Sequence, residues 1–208
     1  DLIGTCIGHV SLNKVNTGKD IKPGNLIIGL ASSGVHSNGL TLARRVLLGD
    51  SMDEQKSRVN DYEEFLGQTI GEALLEPTRI YVKPVMEMLD SGIDLKAMVH
   101  ITSGGFCNLN RVECENIRFV IDTLQPVPEI FNLIQDRGGV SEAEMFEVFN
   151  MGTGFCLVVE GTNEVEAVTE TCKNNDLSCQ VIGQVEGCQS KEVSLPQKQL
   201  TGKGSRFT

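Results

Sequence analysis

Leu26-Ile27-Ile28-Gly29-Leu30-Ala31-Ser32-Ser33-Gly34-Val35-His36-Ser37-Asn38-Gly39-Leu40-Thr41-Leu42-Ala43-Arg44-Arg45-Val46-Leu47-Leu48 is the stretch that decides the fold. Its apolar opening run follows the turn Lys22-Pro23-Gly24-Asn25 and reads as a strand. Small polar residues then make a loop, and the apolar spacing of residues 40–48 predicts a helix that Asn38 can cap. A strand passing through such a loop into a helix is a building unit of layered domains that mix sheet and helix.

Working outward, further strands are predicted over residues 3–10, 97–101, 117–121, 155–160 and 180–185. Helical spacing is found over 53–66, 79–89, 128–135, 142–149 and 163–173. Pro77 and Thr78 introduce the second of these helices, and Ser141 with Glu144 forms a capping box for the fourth. Interleaved strands and helices predict an α/β or α+β layered domain. With no internal repeat and no low-complexity linker, residues 1–208 are expected to form a single domain. The tail, residues 190–208, is rich in Gln, Lys, Gly and Ser and is expected to be partly disordered.

Eighteen Lys and Arg against 28 Asp and Glu leave a net charge of -10, which disfavours nucleic acid and anionic membranes as partners. No run of 18 apolar residues occurs, and the first 15 residues lack a basic flank followed by an apolar core. A cytoplasmic protein is expected. The first residue is Asp1 rather than Met, which suggests a truncated or processed chain. The seven cysteines show no metal-binding spacing and read as reduced thiols, several of them core residues, as in Gly154-Phe155-Cys156-Leu157. No metal site is expected.

Four motifs could carry chemistry. In residues 32–39, small side chains let backbone N–H groups approach an anion at a helix amino terminus, and His36 is the one titratable group, either an acid or base or part of a capped, solvated turn. His100-Ile101-Thr102-Ser103-Gly104-Gly105 repeats that chemistry at the end of another strand, so the two loops could face each other across a crevice. Asn150-Met151-Gly152 reads by itself as a helix carboxy-terminal cap. In Pro77-Thr78-Arg79-Ile80-Tyr81-Val82-Lys83, Arg79 and Lys83 fall on one helix face and either bind an anion or stay solvated.

Together these segments resemble the aminoimidazole ribonucleotide synthetase family, also called phosphoribosylformylglycinamidine cyclo-ligase. The resemblance rests on Gly29-Leu30-Ala31-Ser32-Ser33-Gly34-Val35-His36-Ser37-Asn38-Gly39, on Leu75-Glu76 leading into the Pro77 motif, on the His100 motif with Phe106, and on Glu144-Met145-Phe146 with Phe149-Asn150-Met151-Gly152, all in fixed order. It implies the carboxy-terminal domain of such an enzyme, of the α+β class, an α/β/α layering with a mixed, largely antiparallel sheet. It implies ATP-dependent closure of formylglycinamidine ribonucleotide to aminoimidazole ribonucleotide in purine biosynthesis, through phosphorylation of the formyl oxygen.

By the same likeness, His36 and His100 are the catalytic residues. Ser32, Ser33, Gly34, Ser37, Asn38, Gly39, Thr102, Ser103, Gly104, Gly105 and Arg79 bind substrate or phosphate, and Asn150 supports the first loop. ATP and Mg²⁺ are implied as ligands held mainly by an amino-terminal domain outside this sequence, which would also form a homodimer and cover an apolar surface here. The fragment alone is expected to be inactive. Ser103 stands where the family usually has a glycine, and strain is expected if that position needs a positive φ. Asn108-Leu109-Asn110-Arg111 also departs from the family's pattern. The alternatives are another ATP-dependent member of the superfamily (formylglycinamidine ribonucleotide amidotransferase, selenophosphate synthetase, a hydrogenase-maturation dehydratase or thiamine monophosphate kinase) or a non-catalytic paralogue, for which Ser103 is the sequence support.

Overall fold

A computed structural model describes residues 4–208. In chain order the elements are β1 (Leu26–Ala31), α1 (Leu40–Leu48), α2 (Met52–Arg58), β2 (Tyr62–Glu63), β3 (Gln68–Thr69), α3 (Ile70–Leu75), α4 (Val82–Asp90), β4 (Leu95–His100), β5 (Ile117–Ile121), α5 (Glu129–Gly138), α6 (Glu142–Val148), β6 (Thr153–Val159), α7 (Thr162–Asn174), β7 (Cys179–Gly187), β8 (Glu192–Leu195), β9 (Leu200–Lys203) and β10 (Arg206–Phe207). Eight strands form one sheet in the order β10-β9-β8-β5-β7-β1-β6-β4, antiparallel throughout except for the β5–β8 pair. This is the expected α+β class with a mixed, largely antiparallel sheet.

The two faces of the sheet hold two cores, because successive strand residues point to opposite sides. Ile27, Val158 and Ile182 pack with Leu47, Phe131 and Phe146 on one face, while Ile28, Leu30, Leu157 and Val159 pack with Tyr81, Met88 and Val168 on the other. Helices α1, α3, α5 and α6 therefore cover one side, and α4 and α7 the other. Of the seven cysteines, Cys107, Cys114, Cys156 and Cys172 are buried and Cys6 is exposed; none is in a disulfide.

Several sequence expectations need correction. Residues 4–10 have no regular structure and find no partner strand, and Ile3 lies outside the described residues. The helix expected over 53–66 ends at Arg58, and the following residues form the β2–β3 hairpin, with Gly67 at φ +67° in the turn between its strands. Complete capping boxes at Ser51–Glu54 and Thr69–Glu72 start α2 and α3; at Ser141 only half of the box forms. Arg79 precedes α4, which begins at Val82 and carries Pro84 in its first turn, where a missing N–H costs little. On the outer face of α4, Val82, Met86 and Leu89 form an exposed apolar stripe. No helix among the described residues is long and apolar enough to cross a membrane.

The tail is ordered as β8, β9 and β10, in contrast to the disorder expected for it. Val193 and Leu195 alternate into the core, and β8 lies parallel to β5 through Arg118↔Glu192, Phe119↔Val193 and Val120↔Ser194. Glu192 is buried and receives Arg118 Nε and Nη2 at 2.6 Å and Lys203 Nζ at 3.4 Å. Burial opposes its charge, yet these partners hold the Glu192 carboxyl below its ordinary range. A depressed folded pKa contributes stability above the unfolded value that is lost as pH falls through the folded one. Glu192→Ala is therefore expected to lower the urea midpoint at pH 7, at unchanged m, by an amount equivalent to about 1–3 kcal/mol. The difference from wild type should shrink below pH 4.

Candidate active site at one end of the sheet

The register of β6 brings the two histidine loops together. β1 and β4 both run antiparallel to β6, on opposite sides of it, so they run parallel to each other and end at the same edge. Leu30 and His100 both oppose Phe155, and Ile101 N–H donates to Gly154 C=O at 3.0 Å. Residues 32–39 and 101–105 thus flank the beginning of β6, at the carboxyl ends of their strands.

The other two motifs stitch this end closed. Asn150 is buried and acts across the site rather than as a helix cap: its Nδ2 donates to Gly34 C=O at 2.8 Å, and its Oδ1 accepts from Gly152 N–H at 2.9 Å. Ser32 N–H donates to Gly152 C=O at 2.9 Å, and Gly104 N–H to Glu147 C=O at 2.8 Å. Ser33 Oγ donates to Pro77 C=O at 2.7 Å. All four sequence motifs meet at one edge of the sheet.

His36 is held differently from what its loop suggested. It is 5% exposed and adopts φ +62°, a conformation that costs most side chains about 1–2 kcal/mol. Ser33 N–H donates to its Nε2 at 3.1 Å, which makes Nε2 an acceptor and places the proton of the neutral ring on Nδ1. Nδ1 is buried and has no partner among the described residues. Burial, then the positive charges of His100 and Arg79, pull its pKa down to about 4. The solvated turn is corrected, since the ring is buried: His36 closes its own loop and presents one unused N–H donor.

His100 is exposed, its ring stacked on Phe155 with centroids 6.0 Å apart. Partial burial lowers its pKa from the ordinary 6.5. It lines a cleft of about 510 Å³ together with Asn16, Thr17, Thr102, Asn108 and Arg111. Thr102 Oγ1 lies 3.1 Å from Asn108 Oδ1, and Asn108 Nδ2 donates to Ser103 C=O at 3.1 Å and Gly105 C=O at 2.6 Å. Arg111 Nη2 reaches Ser103 C=O at 3.4 Å. His36 does not line this cleft; the two rings are neighbours through Tyr81, whose centroid is 6.3 Å from His36 and 6.2 Å from His100.

The remaining candidates fall into two groups. Gly39 and Gly105 serve packing, since a side chain at Gly39 would overlap the Phe149 ring and one at Gly105 the Phe146 carbonyl. Gly39, at φ +79°, takes the cap position of α1 in place of Asn38, and no side chain caps that helix, so its first N–H groups keep no side-chain partner. Ser37 is exposed. Arg79 donates weakly to Asp176 C=O at 3.4 Å, leaves Nε without a partner, and shares with Lys83 a cleft of about 390 Å³ beside residues 174–177. Ser103 lies outside the positive-φ set that holds Gly104 and Gly105, so its replacement of a glycine introduces no left-handed strain. The sequence assigned no site role to Tyr81, Asn108, Arg111 or Gly154, naming Asn108 and Arg111 only as part of a departure from the family's pattern. Tyr81 sat inside a quoted motif, but only the charges there were weighed.

Among the described residues no group of three or more His, Cys, Asp or Glu side chains could hold a metal ion. The description "AIR synthase related protein, C-terminal domain" matches residues 22–196. The phosphoribosylformylglycinamidine cyclo-ligase of Methanococcus maripaludis (strain C7) is 42% identical over 201 residues, covering 97% of this chain and 55% of that protein. Its counterpart in Methanocaldococcus jannaschii is 45% identical over 187 residues, covering 89% and 51%. The chain thus spans about half the length of these curated relatives. Among solved structures, thiamine-monophosphate kinase from Stenotrophomonas maltophilia K279a superposes with a TM-score of 0.52 at 15% identity, covering 89% of this chain and 54% of that one, a likeness of fold. By the extent of the family match, residues 22–196 of 208, the chain belongs to the family of AIR synthase related proteins, of which it carries the carboxy-terminal domain.

Proposed function

We propose that this domain presents formylglycinamidine ribonucleotide for ATP-dependent ring closure to aminoimidazole ribonucleotide. The observation that supports this most is the cleft in which an exposed imidazole, His100, stands with the Arg111 guanidinium and the Thr102–Asn108 pair. Arg111 suits the phosphate of a nucleotide substrate, because a guanidinium offers several N–H donors in a plane. ATP and Mg²⁺ would be engaged by the remainder of the relatives' length, which would also carry the dimer contact.

In this reading the formyl oxygen is phosphorylated, the neighbouring amine attacks the activated carbon, and phosphate leaves with that oxygen as the ring closes. The attacking nitrogen must shed a proton, and His100, whose pKa partial burial lowers from 6.5, would accept it. The nucleophile and electrophile belong to one molecule, so holding it in a folded pose supplies much of the acceleration. The uncapped start of α1 and the N–H groups of residues 32–39 suit a second anion, such as the phosphate that is transferred.

Assayed in the complete gene product that contains this sequence, phosphate release is expected with formylglycinamidine ribonucleotide. Release with selenide or thiamine monophosphate in its place would overturn the substrate assignment. His100→Ala is expected to lower kcat about 10²-fold, and Arg111→Ala to raise KM about 10-fold or more with a smaller change in kcat.

The pH profile carries a sign as well. A base whose pKa lies below 6.5 stays competent through neutrality and is lost only as pH falls through that lower value. The acid limb of kcat/KM should therefore lie below pH 6.5 and disappear in His100→Ala. An acid limb unchanged in that variant would remove His100 from the proton transfer.

A further inference from the structure

The residue that joins the two histidine loops is neither of the histidines. Tyr81 is buried just ahead of α4, and its hydroxyl donates to Ala31 C=O at 2.9 Å, the last residue of β1 before the 32–39 loop. Its ring lies between His36 and His100 and packs on Phe155 at 5.3 Å, the β6 residue opposite both strand ends. Gly154 is what admits it: a side chain there would overlap the Tyr81 hydroxyl and come within 2.7 Å of His36 Cε1. One phenol thus touches the start of the first loop, both imidazoles and the strand that aligns them. Tyr81 is not among the residues that line the His100 cleft.

We propose that Tyr81 is a positioning residue for the ring-closing reaction: the hydroxyl latches the start of the 32–39 loop, and the ring sets the separation of the two histidines. The proposal rests on the functional reading above and deepens it. A hydroxyl that holds the end of β1 without meeting substrate should affect the alignment of reacting groups and leave ground-state binding alone. Geometry errors of this kind lower kcat rather than raise KM.

Tyr81→Phe removes the latch and keeps the ring, and Tyr81→Leu removes both. In the complete gene product, Tyr81→Phe is expected to lower kcat about 10-fold while KM stays within about 2-fold, and Tyr81→Leu to lower kcat further. Amide hydrogen exchange gives a second readout that needs no activity. In Tyr81→Phe the amides of residues 32–37 should lose protection while those of β1, β6 and α4 keep it.

Wild-type kcat together with wild-type protection of residues 32–37 would overturn the proposal. So would a general loss of protection across the sheet, which would make Tyr81 a core residue and nothing more. If the wild-type protein fails to turn over formylglycinamidine ribonucleotide, the functional reading fails, and the exchange data alone decide whether Tyr81 latches the loop.

Discussion

A single shared strand organises this molecule. β6 pairs with β1 on one side and β4 on the other, and both pairings are antiparallel. Two strands flanking a common antiparallel partner must point the same way, so their carboxyl ends emerge about two strand spacings apart, roughly 10 Å, at one edge of the sheet. Everything that resembles an active site hangs on that consequence. The 32–39 loop leaves one strand end, the His100 loop leaves the other, and Asn150, Gly152 and Gly154 lead into or open the strand between them.

Within that frame the two histidines divide their tasks by environment. His36 is buried, carries a left-handed backbone and gives its Nε2 to Ser33 N–H. Protonating it would place a proton where that N–H already points, in a site that solvates charge poorly and lies near the Arg79 guanidinium, so the ring stays neutral. His100 opens on a cleft shared with Arg111, where proton exchange with a ligand is geometrically possible. The same side chain thus serves as scaffold at one strand end and as the accessible imidazole at the other. Burial and hydrogen bonding, rather than the motif around each histidine, make the difference.

Much of the fold was legible because its signals are local. Residues 117–121 and 40–48 emerged with their boundaries intact, since an apolar run closed by turn residues and a 3.6-residue spacing need no knowledge of distant partners. The parts that escaped depend on long-range pairing. β8 is a four-residue strand whose extended state comes from β5, some 70 residues away, and its composition imitates a solvated tail. The first strand of the β2–β3 hairpin hid inside the helical spacing of residues 53–66, and its partner lies just beyond it. At the site, loop chemistry could be read from Gly, Ser and His, but the wedge of Tyr81 between two rings exists only through the β6 register. The burial of His36 likewise required Asn150, 114 positions later, to tie down its loop.

The division of labour between the two imidazoles can be observed directly. A long-range ¹H–¹⁵N correlation spectrum of the histidine rings, followed from pH 8 to pH 3.5, reports tautomer and protonation state at each residue separately. His36 is expected to hold the Nδ1–H form unchanged through pH 5.5 and to titrate only near 4, and His100 to titrate below 6.5. A His36 ring that carries its proton on Nε2, or that titrates near 6.5 alongside His100, contradicts the buried, loop-closing role on which this site is built.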